Sequence, residues 1–416
     1  MDQSLLPHLR CPFCGSALAL DDATAVRTGS RIDYGVLGCP CCAYPIVAGI
    51  PVMIADDRAR AAMNAIEAGD HREALEVTLG LDDAGRAAFR ALLARGQAAT
   101  YRDAMDVLCP DAEGTYFIYR FSDPTFVTAS AVLRAVAQAP HVTGGWIIDV
   151  CGGSGHLTRL LGQLGAPART IVADVYFWKL WLARAYTAPG VEAVCCDAND
   201  PLPFARGLAS LVMLSDAFPY IWKRRLLAEE LMRLVDAHGA LVMPHIHSAL
   251  GENHSAGMPL PPVTYADLFA PMAPRLFPDG ALFDGVLDHG VVDLTRPQAP
   301  EAFTDEPSLT LVASRTPDVF ARRAVPPSTD VAGTLAVNPL YAAERTAPGT
   351  TLTLRFPTPE YEDEFGACRR YLPDTLDVPF DATGALDVDT VRAALGNRYD
   401  DLRRRLVLID APGRYA

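Results

Sequence analysis

Between residues 146 and 243 short apolar runs alternate with amphipathic stretches. Trp146 to Val150 is an apolar run bounded by glycines. Leu157, Leu160, Leu161 and Leu164 then recur at the spacing of one helix face, and Gly165 and Pro167 end that helix. Thr170 to Ala173 reads as the next strand, followed by a helix through Trp181 and Ala185. Val191 to Cys196, Leu208 to Leu214 and Ala240 to Met243 read as further buried strands, with a helix over Arg225 to Asp236 closed by Gly239. Near-continuous apolar strands separated by helices predict a parallel sheet covered on both faces, an α/β fold.

The flanks differ in texture. From about residue 57 to 109 Ala, Arg, Glu and Leu recur at helical spacing, with Ala74, Leu75 and Leu79 on one face of Asp70 to Gly80. An aromatic run, Tyr116 to Phe121, precedes a helix near Pro124 to Ala139. Beyond Pro244 the pattern weakens. Tyr265 to Ala270 reads as a short helix, Leu309 to Ala313 as a late antiparallel edge strand and Thr351 to Phe356 as a strand. Residues 316–350 are rich in Pro, Thr and Ala. Glu360 to Glu364 reads as an acidic loop, followed by helices at Asp389 to Leu395 and Asp400 to Arg405. The expected division is a cysteine module at 1–56, a helical cap and linker at 57–130, the core at 131–320 and an α+β extension of unassigned role at 321–416.

Composition narrows the partners. At 416 residues two or three domains are expected, and half the residues are apolar. No run of apolar residues is long enough for a membrane span. Met1 to Arg10 lacks the pattern of a signal peptide, so a cytoplasmic location is expected. The net charge is −14, and Lys179 and Lys223 are the chain's two lysines. Nucleic-acid binding draws on Lys and Arg to neutralise phosphates, so a nucleic-acid partner is disfavoured. The cluster Arg403 to Arg405 reads as a solvated helix face. The oligomeric state is left open.

Five of the ten cysteines fall within the first 42 residues. Cys11-Pro12-Phe13-Cys14 and Cys39-Pro40-Cys41-Cys42 are two copies of C-P-x-C separated by 24 residues. Two such turns supply four soft ligands to a tetrahedral zinc ion: Cys11, Cys14, Cys39 and Cys42, with Cys41 as an alternative fourth ligand. The metal's expected role is structural, because so small a module cannot bury enough core alone. Cys109, Cys151, Cys195, Cys196 and Cys368 read as small buried hydrophobes. Tyr44-Pro45-Ile46 and Gly49-Ile50-Pro51-Val52-Met53 follow the second pair. With the cysteines they resemble the zinc ribbon of the small methyltransferase-activator proteins. That resemblance implies a module that packs against a methyltransferase, here supplied within one chain.

The segment from Trp146 to Thr158 carries the strongest chemistry. An apolar strand runs through Asp149 into Cys151-Gly152-Gly153-Ser154-Gly155 and then into a helix. A dinucleotide site wants G-x-G-x-x-G, but counting from Gly153 and Gly155 the third position is Thr158. The segment instead resembles motif I of class I S-adenosylmethionine-dependent methyltransferases, D-x-G-x-G-x-G, in the broad group that includes quinone-biosynthesis methyltransferases. Asp149 matches the acidic residue and Gly153 and Gly155 the last two glycines, while Cys151 stands where the first glycine is usual. The resemblance implies that Asp174, ending the second strand, binds the ribose hydroxyls. It likewise places Asp197 and Ala198 near the adenine and Ser215 at the end of the fourth strand. Capping the following helix is the alternative for Asp174 and Asp197.

Methyl acceptors should meet the cofactor on the loops after the fourth and fifth strands. Asp216-Ala217-Phe218-Pro219-Tyr220 does not reproduce the N-P-P-Y/F motif of amino-group methyltransferases on nucleic acids or proteins. His245 and His247 lie at i, i+2 on an extended segment and point the same way. With Asp216 they are the candidate catalytic residues. General-base chemistry, a second metal site with His254 or Asp216, and structural histidines are all open readings. Tyr116, Tyr119 and Arg120 are candidates to close over cofactor or substrate, or to pack against the cap. The expected activity is methyl transfer to a small-molecule or metabolite acceptor. Two other readings stay open: an rRNA or tRNA methyltransferase, since some rRNA guanine methyltransferases carry an N-terminal zinc ribbon, and a non-catalytic partner of another methyltransferase.

Overall fold

The apolar runs of the middle region line up in one seven-stranded sheet. In the computed structural model, which describes residues 1–252, 257–326 and 330–415, the strands are β1 (Trp146–Val150), β2 (Thr170–Asp174), β3 (Glu192–Cys195), β4 (Ala209–Met213), β5 (Val235–His247), β6 (Arg275–Pro278) and β7 (Ser308–Ser314). Their order is β6-β7-β5-β4-β1-β2-β3. β1 to β5 run parallel, and β7 is antiparallel between β5 and β6. Every residue of β2, β4 and β7 is buried, as the unbroken apolar runs require of strands covered on both faces. β1 lies between β2 and β4, so the chain leaves it first to one side and later to the other. The carboxyl ends at that reversal are the place where open α/β sheets bind ligands.

Six helices frame this sheet: α1 (Ala112–Tyr119), α2 (Pro124–Val136), α3 (His156–Leu164), α4 (Phe177–Leu182), α5 (Arg224–Leu234) and α6 (Asp279–His289). The Asp123 carboxylate caps the first turn of α2, and Pro124 supplies its preset φ. On α3 Leu157, Leu160 and Leu161 are buried, and Gly165 ends the helix by donating to the Leu161 carbonyl.

Several expectations need correction. α5 ends at Leu234, and Gly239 lies inside β5, where the β4–β5 register shifts between Val235 and Ala240. A Cβ on Gly239 would stand 2.7 Å from the Ser210 carbonyl oxygen, so glycine serves strand packing there and not a helix stop. β7 is not the sheet edge, because β6 covers it. Glu360 to Glu364 belongs to a helix, Pro359–Phe365, capped by Thr358 and anchored by buried Tyr361 and Phe365. Its acidic face hid an i, i+4 aromatic pair. Arg403 is buried and donates to the carbonyls of Leu408 and Asp330, so it is not a solvated member of its cluster.

The amino-terminal module is an antiparallel ribbon of Ala19–Leu20, Val26–Thr28, Arg31–Gly38, Ala43–Val47 and Ile50–Pro51. It docks on the free edge of the sheet. Val52 bridges Cys195 in parallel, and the Met53 N–H donates to the Cys195 carbonyl at 2.7 Å. Leu9, Leu37, Tyr44 and Ile46 share one apolar core with Ile171, Val194 and Phe204. Helices at Asp57–Glu67, His71–Leu79, Asp83–Ala94 and Tyr101–Leu108 cap the neighbouring face. The carboxyl-terminal region builds its own core around Leu352, Tyr371, Leu402 and Leu408. It is tied back to the sheet domain by an ion pair of Arg159 with Asp410 at 3.1 Å. Among the described residues no helix is long and apolar enough to cross a membrane.

Glu192 joins ribbon and sheet. Its carboxylate is 1 % exposed, pairs with Arg31 at 3.1 Å and accepts the Asp2 N–H at 3.0 Å. Glu192→Ala strands a partly buried guanidinium and a backbone donor, so a loss of about 1–3 kcal/mol in urea unfolding is expected. An unchanged midpoint would mean this junction contributes nothing.

Candidate cofactor and acceptor site

The bend between β1 and α3 forces the backbone into a space no side chain can share. A Cβ on Gly152 would meet Asp149 Cγ at 2.6 Å and Val172 Cγ2 at 2.7 Å. Gly153 and Gly155 take φ of +55° and +83°, in the left-handed region. Cys151 takes φ of +58°, so it occupies a glycine-like conformation at a cost of about 1 kcal/mol.

Asp174, at the tip of β2, braces this bend. It accepts the Gly153 N–H at 3.0 Å on one oxygen and the Tyr176 N–H at 2.9 Å on the other. α4 starts without a side-chain cap, so Asp174 is not a helix cap. Burial raises its pKa, against the opposing charge of Lys179. Asp197 accepts from the backbone and side-chain nitrogens of Asn199 at 2.8 and 3.0 Å, which makes it a turn residue. Ala198 is buried beside it.

Below the bend, the Tyr101 hydroxyl lies 2.7 Å from Ser154 Oγ, and His156 Nε2 lies 3.1 Å from the Tyr415 hydroxyl. The same hydroxyl reaches the Ile118 carbonyl at 2.9 Å, so the carboxyl-terminal tail fastens α1 to the start of α3. Burial drives the His156 pKa well down and keeps the ring neutral. Above the bend, the Phe117 ring covers Gly153, whose added Cβ would come within 3.0 Å of it. Lys179 Nζ sits 4.4 Å from the Tyr176 ring centre and 2.5 Å from Glu113 Oε1. Arg120 is buried against Asp123 at 2.7 Å and lies 5.1 Å from the Tyr116 ring centre, while Tyr119 packs on Tyr361. Tyr116 and Tyr119 therefore pack on Phe365 and Tyr361 of the carboxyl-terminal region, while Arg120 is held within its own segment.

At the tips of β4 and β5, Asp216, His245 and His247 converge. A register shift between Met243 and Ile246, with His245 at φ of +54°, brings the two imidazoles to 5.0 Å between ring centres. His247 Nε2 lies 3.0 Å from Asp216 Oδ1. His245 Nδ1 lies 3.0 Å from Asp279 Oδ2, and Asp279 Oδ1 accepts from the Thr310 hydroxyl at 2.7 Å. Burial would raise the Asp216 pKa, but His247, His245 and Arg120 outweigh it and hold the carboxyl low. For His245 burial lowers the pKa, and the Asp279 and Asp216 carboxylates reverse that into a rise. His254 lies outside the described residues. Asp149 Oδ1, Ser215 Oγ, Asp216 Oδ1 and His247 Nδ1 are buried without a hydrogen-bond partner among the described residues. All four stand at the carboxyl ends of the central strands β1, β4 and β5.

In the ribbon, sulfur atoms of Cys11, Cys39, Cys41 and Cys42 lie within 4.8 Å of one another. Cys14 Sγ is 3.7 Å from Cys39 Sγ, so all five predicted thiols gather at one point. The Tyr44 hydroxyl lies 3.3 Å from Cys11 Sγ. A separate cavity of about 880 Å³ lies between α2, α3, α6 and the carboxyl-terminal region, lined by Arg134, Arg159 and Arg405 among others. It touches His156 but none of the predicted cofactor or acceptor residues.

Residues 148–243, from β1 through the middle of β5, match the family model described as a methyltransferase domain. The chain carries a methyltransferase domain. This domain holds the glycine bend, Asp174, Asp197 and Asp216 within the matched span. Among solved structures, phosphoethanolamine N-methyltransferase 2 of Haemonchus contortus with S-adenosyl-L-methionine is 13 % identical, covering 52 % of this chain and 60 % of that one (TM-score 0.38). A chain of the complex between the Haloferax volcanii Trm112 methyltransferase activator and its proposed methyltransferase is 19 % identical, covering 51 % and 97 % (TM-score 0.34). Geranyl diphosphate C-methyltransferase of Streptomyces coelicolor A3(2) is 14 % identical, covering 44 % and 76 % (TM-score 0.31). No curated protein sequence matches the chain.

Sequence reasoning missed Glu113, Phe117, Thr158, Lys179 and Asp279. Lys179 carried a signal, as one of two lysines in the chain. Asp279 carried none, since only the β6–β7 pairing brings it to His245.

Asp149 generates a pH prediction. Its carboxyl is buried, accepts from Thr158 Oγ1 at 2.5 Å, and has its pKa pushed up to about 7 by burial. Below about pH 4 the folded and unfolded carboxyls are both protonated. As pH rises towards 7 the unfolded state loses the proton first, so folding stability falls, and above 7 the full cost is present. Asp149→Asn should therefore gain stability relative to the parent between pH 5 and pH 8, measured by urea midpoints without ligand. A difference that stays constant across that range would contradict the assignment.

Proposed function

We propose that the chain transfers the methyl group of S-adenosylmethionine to a small-molecule acceptor. The observation that carries this reading is the meeting, at adjoining strand tips, of a glycine bend braced by Asp174 with buried polar atoms that lack partners. The residues fit the cofactor. Gly153 and Gly155 let the backbone approach a ligand closely. Each Asp174 oxygen accepts one backbone N–H and keeps a lone pair for a ribose hydroxyl. Asp149 and Cys151 shape the bend, and Asp197, Ala198 and Ser215 line the side where the base would lie.

When bound, the sulfonium supplies an electrophilic methyl group, and the protein's task is alignment of a nucleophile and removal of its proton. Asp216, His245 and His247 are the catalytic candidates, since they stand beside the bend and face a common point. A net charge of −14 and two lysines favour a small acceptor over RNA. The thiols of the ribbon suit a structural zinc ion, with the Tyr44 hydroxyl as a hydrogen-bond partner of Cys11.

Calorimetry with S-adenosylmethionine tests the cofactor reading. Asp174→Ala should weaken binding at least tenfold, since it removes the hydroxyl acceptor and loosens Gly153. Equal affinity of parent and variant would sink it. For the ribbon, Cys39→Ser should lower the zinc content measured by mass spectrometry of the purified chain. Retention of a full zinc equivalent would rule that thiol out.

A further inference from the structure

The acceptor end of the crevice holds a second set of metal-type donors, chemically unlike the thiols of the ribbon. Asp216, His245 and His247 each offer a ligand atom, and these atoms lie within 4.8 Å of one another. Two ligands about 2.1 Å from one ion stand about 3.0–3.4 Å apart in octahedral or tetrahedral geometry. His247 Nε2 and Asp216 Oδ1 are already at 3.0 Å. Apart from this contact, Asp216 Oδ1 has no hydrogen-bond partner among the described residues. His247 is 7 % exposed and its Nδ1 is also unpartnered.

The third donor is prepared from behind. His245 Nδ1 is committed to Asp279, which is itself held by Thr310, so Nε2 is free to ligate. A carboxylate on the distal nitrogen of an imidazole orients the ring and raises its basicity towards a metal. The charges suit a dication. Asp216, Asp279 and Asp123 are countered by Arg120, leaving two negative charges if the imidazoles are neutral. Asp216 and His245 also hold left-handed backbone conformations, φ of +55° and +54°, a strain that non-glycine residues accept where a site demands it.

We propose that Asp216, His245 and His247 bind a divalent first-row transition-metal ion at the acceptor end of the crevice. Two imidazoles and one carboxylate cover one face of such an ion and leave the opposite positions open. An acceptor with a hydroxyl and a neighbouring oxygen would fill them. Coordination would make that O–H more acidic: its proton would pass to solvent, the oxygen pair would form the new O–CH3 bond, and the sulfonium C–S bond would break with its pair going to sulfur, leaving S-adenosylhomocysteine. This acceptor class rests on the methyltransferase reading, but the metal site does not.

Metal analysis of the full-length chain, purified without chelators, separates the two. With Mn²⁺ or Co²⁺ supplied, we expect two metal equivalents per chain, falling to one in Cys39→Ser and to one in His247→Ala. Co²⁺ added to the zinc-loaded chain should give weak visible bands without thiolate charge transfer, lost in Asp216→Asn. Asp279→Asn leaves all three ligands in place and should weaken Co²⁺ binding about tenfold or more. The proposal is overturned if Co²⁺ yields no such bands in the parent, or if His247→Ala and Asp216→Asn retain the parent's stoichiometry and spectrum. S-adenosylmethionine affinity in the same variants reports separately on the cofactor site, so failure of one claim is not failure of the other.

Discussion

Asp174 accepts a hydrogen bond from the backbone of Gly153 on one oxygen and of Tyr176 on the other. That carboxylate couples two loops that leave adjacent parallel strands, and it does so in a buried setting where an unpaired charge would be costly. The glycine bend could otherwise sample many conformations, because glycines lose most on being ordered. With Asp174 in place the bend is held in one shape before any ligand arrives. The lid of Phe117 and the Lys179–Glu113 pair then sit over a surface that is already formed.

Much of this was legible in the chain. The strand–bend–helix passage at 146–164 shows itself through apolar spacing and glycine placement alone, because local conformation and burial there make the same demand. The strand tips carrying Asp174, Asp197 and Asp216 follow from the same periodicity. What escaped reading depends on contacts between distant segments. The acidic stretch at 360–364 folds as a helix because Tyr361 and Phe365 find an apolar partner surface, and nothing local announces that surface. Arg403 is drawn inward by carbonyl oxygens of Leu408 and Asp330, an environment set by tertiary packing. Asp279 reaches His245 only because β7 is inserted between β5 and β6.

The two flanking modules use different means to attach. The ribbon joins the sheet as a continuation of its hydrogen bonding at β3 and shares its core, so its position is fixed by backbone geometry as well as by side chains. The carboxyl-terminal region packs its core against Phe283 of α6, sends Ile409 and Tyr415 into the apolar cluster around Val172, and adds discrete polar ties, Arg159 to Asp410 and Tyr371 to the Ser122 carbonyl.

Tyr415 stands under the bend, in contact with His156 and with the carbonyl of Ile118, across a sequence separation of 297 residues. Loop closure over such a distance is entropically slow, so contacts of this kind form late in folding. During synthesis the Rossmann-like sheet emerges and pairs long before its floor is laid. A hydroxyl that supports the bend therefore leaves the ribosome long after α1 and α3, the elements it steadies.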